Sequence, residues 1–206
     1  MTLFDFEEGQ GNLAHDSSVN QNTATLINEP AWSSRQTEGA IEFDGSDDLL
    51  LVDEPTGLTL SGDVSLMAWT YLDVFDPTAY YTIVATGVGG SHGYALNVRR
   101  GVFNFVNIGN EDIPSTITPI VGEWHHFATT FTASTLDVHF FVDGVLVDTQ
   151  TAAMDLTQPQ AGDDLIVGAW ISGSNSYWDG RLDQVRLYSR ALSEQEVAQI
   201  VDFETR

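Results

Sequence analysis

Short apolar runs rich in β-branched and aromatic residues make up most of the chain, and clusters of Gly, Asn, Asp and Pro separate them. Many of these runs alternate apolar and polar residues, which places successive side chains on opposite faces of a strand. Many short strands at close spacing are typical of an all-β sandwich. The predicted strands are 40–43, 49–52, 64–72, 81–86, 94–99, 102–108, 125–132, 138–142, 145–149, 164–167 and 180–188.

Two dipeptides predict tight hairpins. Arg100-Gly101 and Asp143-Gly144 each stand between two strand-like runs. Asp-Gly in this setting is a strong hairpin signal because glycine accepts a positive φ. We therefore expect the strands on either side of each dipeptide to pair antiparallel.

One segment near the C-terminus has the pattern of a helix instead. Ser193, followed three residues later by Glu196, forms a capping box in which each side chain can bond the other residue's backbone N–H. Val197, Ile200 and Val201 then fall on one helical face. The pattern predicts one short C-terminal helix packed on the sandwich.

Length and charge narrow the class of protein. The chain has 206 residues, and sandwiches of about 200 to 250 residues commonly form one unit, so residues 1–206 are expected to be a single β-sandwich domain.

The chain carries 30 acidic residues against 7 Lys and Arg, a formal net charge of -23. Such a chain lacks the cationic patch that nucleic acid or an anionic membrane surface requires. Part of this charge can simply keep the surface soluble in high salt.

The chain contains no cysteine, which excludes disulfides and thiolate zinc sites. No apolar run reaches the length of about 18 residues that a membrane-spanning helix needs, so no membrane insertion is expected. No signal-peptide pattern is present either. If the protein is exported, its targeting signal is expected to lie outside these residues.

Several phrases, taken in order, resemble the laminin G-like or concanavalin A-like lectin/glucanase domains of bacterial adhesins and secreted polysaccharide-active proteins. They include an opening strand and turn, an F-D-G turn, an Ala-Trp strand end, a W-H-H and V-D-G pair, and a closing strand before the helix. The phrases are Phe4–Gly11 with Ala14–Ser18, Gly39–Asp48, Val64–Trp69, Glu123–Ala128 with Phe141–Gly144, and Gly180–Ser193. Ser18 stands where the family usually has Gly.

The resemblance implies a jelly-roll sandwich of two antiparallel sheets, one of them concave, with one short C-terminal helix. It also implies an extracellular or bacterial cell-surface location, and a monomeric module within a larger chain. Domains of this family often hold a calcium ion at the edge where the chain ends meet.

A polar turn near the N-terminus offers oxygen ligands of the kind that calcium prefers. Asp16, Ser18 and Asn20 alternate in an irregular segment, and Asn22 follows closely. The resemblance adds the carboxylate of the closing strand and the carbonyl of the F-D-G turn. The predicted Ca2+ ligands are Asp16, Asn22, Gly45 and Asp183.

Two structural alternatives stay open for these residues. Asp16 can cap a turn without any ion, and Asp183 can pair with Arg186 or Arg181. Other acidic residues are further candidate ligands or are simply solvated. They are Asp5, Glu7, Asp47, Asp48, Asp163 and Asp164.

Two loops carry the chemistry of a sugar site, which is an aromatic face beside amide, carboxylate or guanidinium groups. One is 170–178, where aromatic residues stand among Gly and Ser, and the other is 75–81. Asn97, Asn104 and Asn107 stand between these loops in the sequence and can face a concave sheet. The predicted ligand-binding residues are Trp170, Asn175, Tyr177, Trp178, Tyr80, His92 and Arg99. Packing at the core or rim is the alternative for each aromatic.

No catalytic constellation is recognisable. Jelly-roll glycosidases carry paired carboxylates on one strand as Glu-x-Asp-x-x-Glu, and no such phrase occurs here. Glu111-Asp112 falls in a predicted loop. His125 and His126 are adjacent on a strand, so they point to opposite faces and are poorly placed to act on one atom. We therefore expect no enzymatic activity.

Three functions remain as hypotheses. The first is a calcium-dependent carbohydrate-binding, lectin-like module of a large extracellular bacterial protein such as an adhesin. The second is a non-catalytic structural or protein-binding domain of the same family. The third, least favoured because of the missing carboxylate pair, is a polysaccharide hydrolase or lyase.

Overall fold

The computed structural model describes residues 1–57, 62–87, 92–156, 159–160, 162–170 and 176–205. All pairings between its named strands are antiparallel. The elements are β1 Thr2–Phe4, β2 Leu13–Ala14, β3 Ala24–Ile27, β4 Ala31–Arg35, β5 Glu38–Asp44, β6 Leu49–Val52, β7 Val64–Leu72, β8 Tyr81–Thr86, β9 Tyr94–Arg99, β10 Val102–Asn107, β11 Glu111–Pro114, β12 His125–Thr132, β13 Asp137–Val142, β14 Val145–Thr151, β15 Leu165–Val167, β16 Asp179–Tyr188 and α1 Glu194–Glu204.

The strands form two eight-stranded sheets. The first sheet has the order β14-β13-β12-β7-β16-β5-β4, with β1 also paired to β16, and the second sheet has the order β11-β10-β9-β8-β15-β6-β3-β2. Some neighbours are consecutive strands, as in β12, β13 and β14, whereas others come from distant parts of the sequence, as in β7 beside β16. The expected all-β jelly-roll sandwich of two antiparallel sheets with one C-terminal helix is confirmed.

The core lies between the two sheets and contains one side chain from every second position of most strands. Phe103 of the second sheet stacks on Phe127 of the first, with ring centroids 3.6 Å apart. Phe105 and Phe131 form a parallel contact at 6.0 Å one row further along. Each buried aromatic of this kind contributes about 1.5 to 3 kcal/mol of hydrophobic stabilisation. These contacts hold the sheets together and leave their outer faces for other roles.

Helix α1 covers part of the outer face of the first sheet. Ser193 caps it with the predicted capping box, and the buried Val197 packs with Met67, Ala128 and Phe141 of that face. The sequence prediction of a short C-terminal helix is confirmed. No helix in the described part of the chain is long and apolar enough to cross a membrane.

The two predicted hairpins are present, and their geometry sets the register of the candidate site. Arg100 and Gly101 have φ values of 53° and 83°, and Asp143 and Gly144 have 49° and 79°. Two consecutive positive φ values are characteristic of the type I′ turn that joins two antiparallel strands directly. The first turn places Arg99 opposite Val102, at the end of the β9–β10 ladder.

Several strands do not stand out in the sequence pattern. Glu111 and Asp112, expected in a loop, belong to β11 at the edge of the second sheet, paired with β10. Pro114 ends this strand, and proline is tolerated there because an edge strand has one side without ladder partners. The short strands β3 and β4 are also additions to the prediction.

Candidate functional site

A cleft of about 300 Å³ lies on the second sheet, away from the main core. We call it the outer cleft. Its lining comes from β9, β10, β11, the β10–β11 turn and the segment after β15. Its lining residues include Arg99, Val106, Ile108, Glu111, Asp112 and Trp170.

Strand register explains why these residues share a face. Val106 lies opposite both Ala95 of β9 and Asp112 of β11. Ala95 and Val106 pack together outside the main core cluster, on the outer face. Because side chains alternate, Arg99 lies on the same face as Ala95, four residues further along β9.

Trp170 forms the apolar wall of the outer cleft. Its ring packs against a small outer cluster made of Ala85, Ala95, Val106 and Ile108. The side chain is only partly buried, so part of the indole remains accessible. Trp170, predicted from the sequence as a ligand-binding residue, thus lines an accessible cleft.

Arg99 forms the polar side of the same cleft. Its guanidinium pairs with the carboxylate of Asp112 and lies 5.1 Å from the ring centre of Tyr80. Burial opposes the charge on Arg99, but the hydrogen bond with Tyr80 and the carboxylate of Asp112 outweigh that effect and raise the pKa of the guanidinium. The paired side chains are 34% and 27% exposed, so a ligand can still reach them.

Two buried polar atoms lie on the same face of the second sheet. Thr82 of β8 and Asn97 of β9 stand opposite each other, and Asn97 is two residues from Arg99. Thr82 Oγ1 and Asn97 Oδ1 have no hydrogen-bond partner among the described residues. A buried polar atom without a partner is costly, so this row retains hydrogen-bonding capacity beside the outer cleft.

Asn104 and Asn107, which the sequence placed with Asn97, have other contacts. Asn104 Nδ2 donates to the carbonyl oxygens of Arg99 and Val102 at 3.1 and 2.7 Å. Asn107 lies opposite the buried Tyr94 and donates to the Asp155 carbonyl at 3.1 Å. Strand alternation therefore turns the Asn107 side chain away from the face that carries Asn97.

The remaining predicted ligand-binding residues are not brought to the outer cleft. Trp178 does not reach the outer cleft, because its side chain is completely buried and packs edge-on to Tyr81 at 6.4 Å. His92 bonds through Nε2 to the carboxylate of Asp163 at 2.8 Å and does not line the cleft. Tyr177 is partly buried and does not line it either. Asn175 lies outside the described residues.

The predicted metal ligands Asp16 and Asn22 lie together but accept N–H donors. Asp16 Oδ1 accepts from the backbone nitrogens of Leu3 and Ser18 at 2.9 and 2.8 Å, and Oδ2 accepts from Asn22 at 3.1 Å. Asn22 Oδ1 accepts from the Thr56 backbone at 2.8 Å. These bonds close the polar turn on itself, which is the turn-capping alternative for Asp16.

Asp183 lies in a different environment. It is fully buried, and Oδ2 accepts from Arg35 Nε at 2.7 Å while Oδ1 accepts from the Gln184 backbone at 2.5 Å. Burial raises the pKa of Asp183 to about 7 against the opposing effect of Arg35. The pairing expected as an alternative thus occurs, but with Arg35 in place of Arg186 or Arg181.

Gly45 is separated from Asp183 as well. Its backbone nitrogen donates to the Trp178 carbonyl at 3.1 Å, next to Asp179 at the start of β16. Asp183 lies four positions after Asp179 along β16, about 13 Å away at the usual rise. Calcium bonds are only about 2.3 to 2.6 Å long. Gly45 and Asp183 therefore do not surround one ion.

A different carboxylate group suits a hard cation better. Oxygens of Asp44, Asp47 and Asp48, in the turn after β5, lie within 4.8 Å of one another. Burial and the like charges of Asp44 and Asp47 raise the pKa of Asp48 to about 6, despite a hydrogen bond from the Asp44 backbone. Asp47 and Asp48 were further candidates from the sequence, whereas Asp44 was not singled out. We call these three residues the acidic turn.

The comparison with protein families identifies the chain's class. The laminin G family model described as the concanavalin A-like lectin/glucanases superfamily matches residues 43–198. This match extends over more than half of the chain, which therefore belongs to that family. No match to a curated protein was found.

Solved structures with this fold include binding domains of toxins. The binding domain of Paraclostridial Mosquitocidal Protein 1 matches with a TM-score of 0.75 and 15% identity, over 98% of this chain and 51% of that one. The botulinum neurotoxin serotype D ligand binding domain, in complex with N-acetylneuraminic acid, matches with a TM-score of 0.71 and 14% identity, over 99% and 50%.

An enzyme also contains a region of this fold. Trypanosoma rangeli sialidase in complex with sialic acid matches with a TM-score of 0.72 and 14% identity, over 99% of this chain and 33% of that one. The chain thus spans about half or a third of the proteins it matches. At these identities the likeness establishes the fold alone.

Proposed function

We propose that the chain is a carbohydrate-binding module and that the outer cleft is its ligand site. The observation that carries the proposal is the meeting of Trp170 with the Arg99–Asp112 pair in one accessible cleft of about 300 Å³. Sugar rings have apolar faces that stack on aromatic side chains, and hydroxyls that bond carboxylates and guanidinium groups. The three side chains supply all of these groups.

The binding role is proposed to be non-catalytic. Glu111 and Asp112 are adjacent on β11, so their side chains leave the strand on opposite faces. Glu111 accepts from the backbone nitrogens of Ala153 and Met154, whereas Asp112 pairs with Arg99. The two carboxyl groups therefore do not flank a common position as the acid and base of a glycosidase must.

Calcium is proposed to bind at the acidic turn. Three carboxylates within 4.8 Å match the hard oxygen ligands that calcium prefers. The ion would neutralise charges that now repel one another between β5 and β6 and would stabilise the folded chain. The acidic turn is not part of the outer cleft, so calcium would support sugar binding only through the stability of the fold.

We also propose that the module works outside the cell, as part of a larger bacterial surface protein such as an adhesin. The net charge of -23 and the family match support this setting. The longer structural relatives, of which this chain spans about half or a third, agree with a module inside a larger protein.

A glycan array tests the proposed function directly. The unaltered chain should bind a defined subset of glycans, and Trp170→Ala should lose that binding while keeping the melting temperature close to that of the unaltered chain. Trp124→Ala is the matched control, because Trp124 is also partly buried but packs on Tyr71 of the first sheet. Equal glycan binding by Trp170→Ala and the unaltered chain would contradict the placement of the site. Absence of any glycan binding would favour a structural or protein-binding domain.

A further inference from the structure

The outer cleft contains one cation, and that cation is already paired. Arg99 is the single basic residue among the described residues that line the cleft, and its guanidinium bonds Asp112 and lies over Tyr80. Glu111 also lines the cleft, but its carboxylate bonds the backbone nitrogens of Ala153 and Met154. Among the described residues that line the cleft, no unpaired cation is therefore available to a ligand.

An acidic sugar would meet this arrangement at a disadvantage. Its carboxylate would either displace Asp112 from Arg99 or lie unpaired beside Asp112. Displacement would leave the partly buried Asp112 without its counter-charge, and placement beside it would put two like charges together. The overall charge of -23 repels an anionic polymer before it reaches the cleft.

An uncharged sugar meets neither obstacle. Its hydroxyl groups can donate to Asp112 and accept from Arg99 while the ion pair stays intact. Trp170 at the other side of the cleft offers an apolar surface to the sugar ring. Both members of the ion pair remain partly exposed, at 34% and 27%, so these hydrogen bonds need no opening of the structure.

We propose that the Arg99–Asp112 pair makes the outer cleft select uncharged sugars and reject acidic ones. The proposal rests on the proposed carbohydrate function and specifies its ligand class. Two of the structural relatives above were solved with sialic acid, an acidic sugar. This chain is expected to differ from them in that respect.

The experiment compares neutral glycans with their acidic counterparts on one array. Suitable pairs are lactose with sialyllactose and galactan with polygalacturonate. Where the unaltered chain binds a pair, it should bind the neutral glycan at least about tenfold more tightly than the acidic one. Asp112→Asn should reduce this difference in affinity, because it removes the negative charge beside Arg99. Asp202→Asn is the matched control, since it removes an exposed carboxylate from helix α1 on the other sheet and should leave the difference unchanged.

A salt titration of the unaltered chain gives a second readout that depends on no variant. Salt screens charge repulsion, so weak binding to the acidic glycan should strengthen as NaCl is added, and binding to the neutral glycan should stay constant. Two results would contradict the proposed selectivity for uncharged sugars without contradicting the carbohydrate function. One is tighter binding to the acidic glycan than to the neutral one, and the other is binding to the acidic glycan that weakens as NaCl is added. No binding to either member of any pair would contradict the carbohydrate function itself.

Discussion

Arg35 donates from Nε to Asp183 Oδ2 at 2.7 Å, and the two side chains are 2% and 0% exposed. They lie 148 positions apart in the sequence. The guanidinium of Arg35 also lies 4.4 Å from the ring centre of Trp69 and reaches the carbonyl oxygen of Glu204 in helix α1. This pair therefore ties β4, β16, β7 and the C-terminal helix together.

Removing Arg35 should strongly destabilise the fold. Arg35→Ala leaves the buried Asp183 without its counter-charge, and the loss of one partner of a buried pair typically costs about 3 to 5 kcal/mol. Urea denaturation measures the change. Arg181→Ala is the matched control, because Arg181 pairs with Asp73 where the two side chains are 24% and 39% exposed. Such pairs contribute about 1 kcal/mol or less. Similar losses in the two variants would contradict the role assigned to Arg35.

Stability should fall as the pH rises from about 4 to 6. The pKa of Asp48 is about 6 in the folded chain against 3.8 for an ordinary Asp, so the folded state binds more protons in this window. A folded state that binds more protons loses stability as the pH rises. Asp183, with a pKa of about 7, acts in the same direction and extends the window. Urea midpoints measured from pH 4 to 7.5 in chelator should decrease, and Asp48→Asn should make the slope shallower. If the urea midpoint falls with pH equally steeply in Asp48→Asn and in Asp202→Asn, Asp48 is not the source of the pH dependence.

Calcium should raise the melting temperature through the acidic turn. An ion bound only by the folded state stabilises it by about 2.7 kcal/mol at one hundred times its dissociation constant. Scanning calorimetry with calcium and with chelator measures the shift, which Asp44→Asn should abolish. Asp16→Asn distinguishes a calcium site at the acidic turn from one at the N-terminal polar turn. Calcium should still raise the melting temperature of this variant. Loss of that increase would indicate that the ion binds at the N-terminal turn.

Gly168 should be essential for placing Trp170. It has a φ of +83°, and a Cβ there would lie 2.2 Å from the ring of Phe43. Gly168→Ala should therefore destabilise the chain by about 1 to 3 kcal/mol beyond the backbone strain alone and weaken glycan binding. Gly162→Ala isolates the strain, since φ is +88° and nothing lies within 4 Å of a Cβ. Equal unfolding free energies for the two variants would show that the Phe43 contact is unimportant.

The fold was largely predictable from the sequence because its signals are local. Alternating apolar runs, the Asp143-Gly144 turn and the Ser193 capping box act over a few residues and occur where expected. Strands such as β4 are less visible because their stability depends on pairing with a neighbour. Their apolar content alone is too low to identify them.

The site was only partly predictable because it depends on contacts between distant strands. Trp170 was recognisable because it is an aromatic residue in a segment rich in Gly and Ser. Arg99 was recognisable because the chain has only 7 Lys and Arg. Asp112 was not, since a loop was expected where β11 forms, although the proline at position 114 is compatible with an edge strand. Trp178 has the same local composition as Trp170, and only the pairing of β16 with its neighbours places it in the core.

We claim that a sugar binds against Trp170, and the indole N–H groups of the chain's five tryptophans allow this binding to be observed. A ¹H–¹⁵N spectrum of the indole N–H groups is recorded while the chain is titrated with an oligosaccharide that it binds on the glycan array. The Trp170 signal is assigned by its absence in the spectrum of Trp170→Ala. We predict that the Trp170 signal shifts with saturation while those of Trp32, Trp69 and Trp124 stay in place. A Trp170 signal that does not move while the sugar binds would contradict the claim.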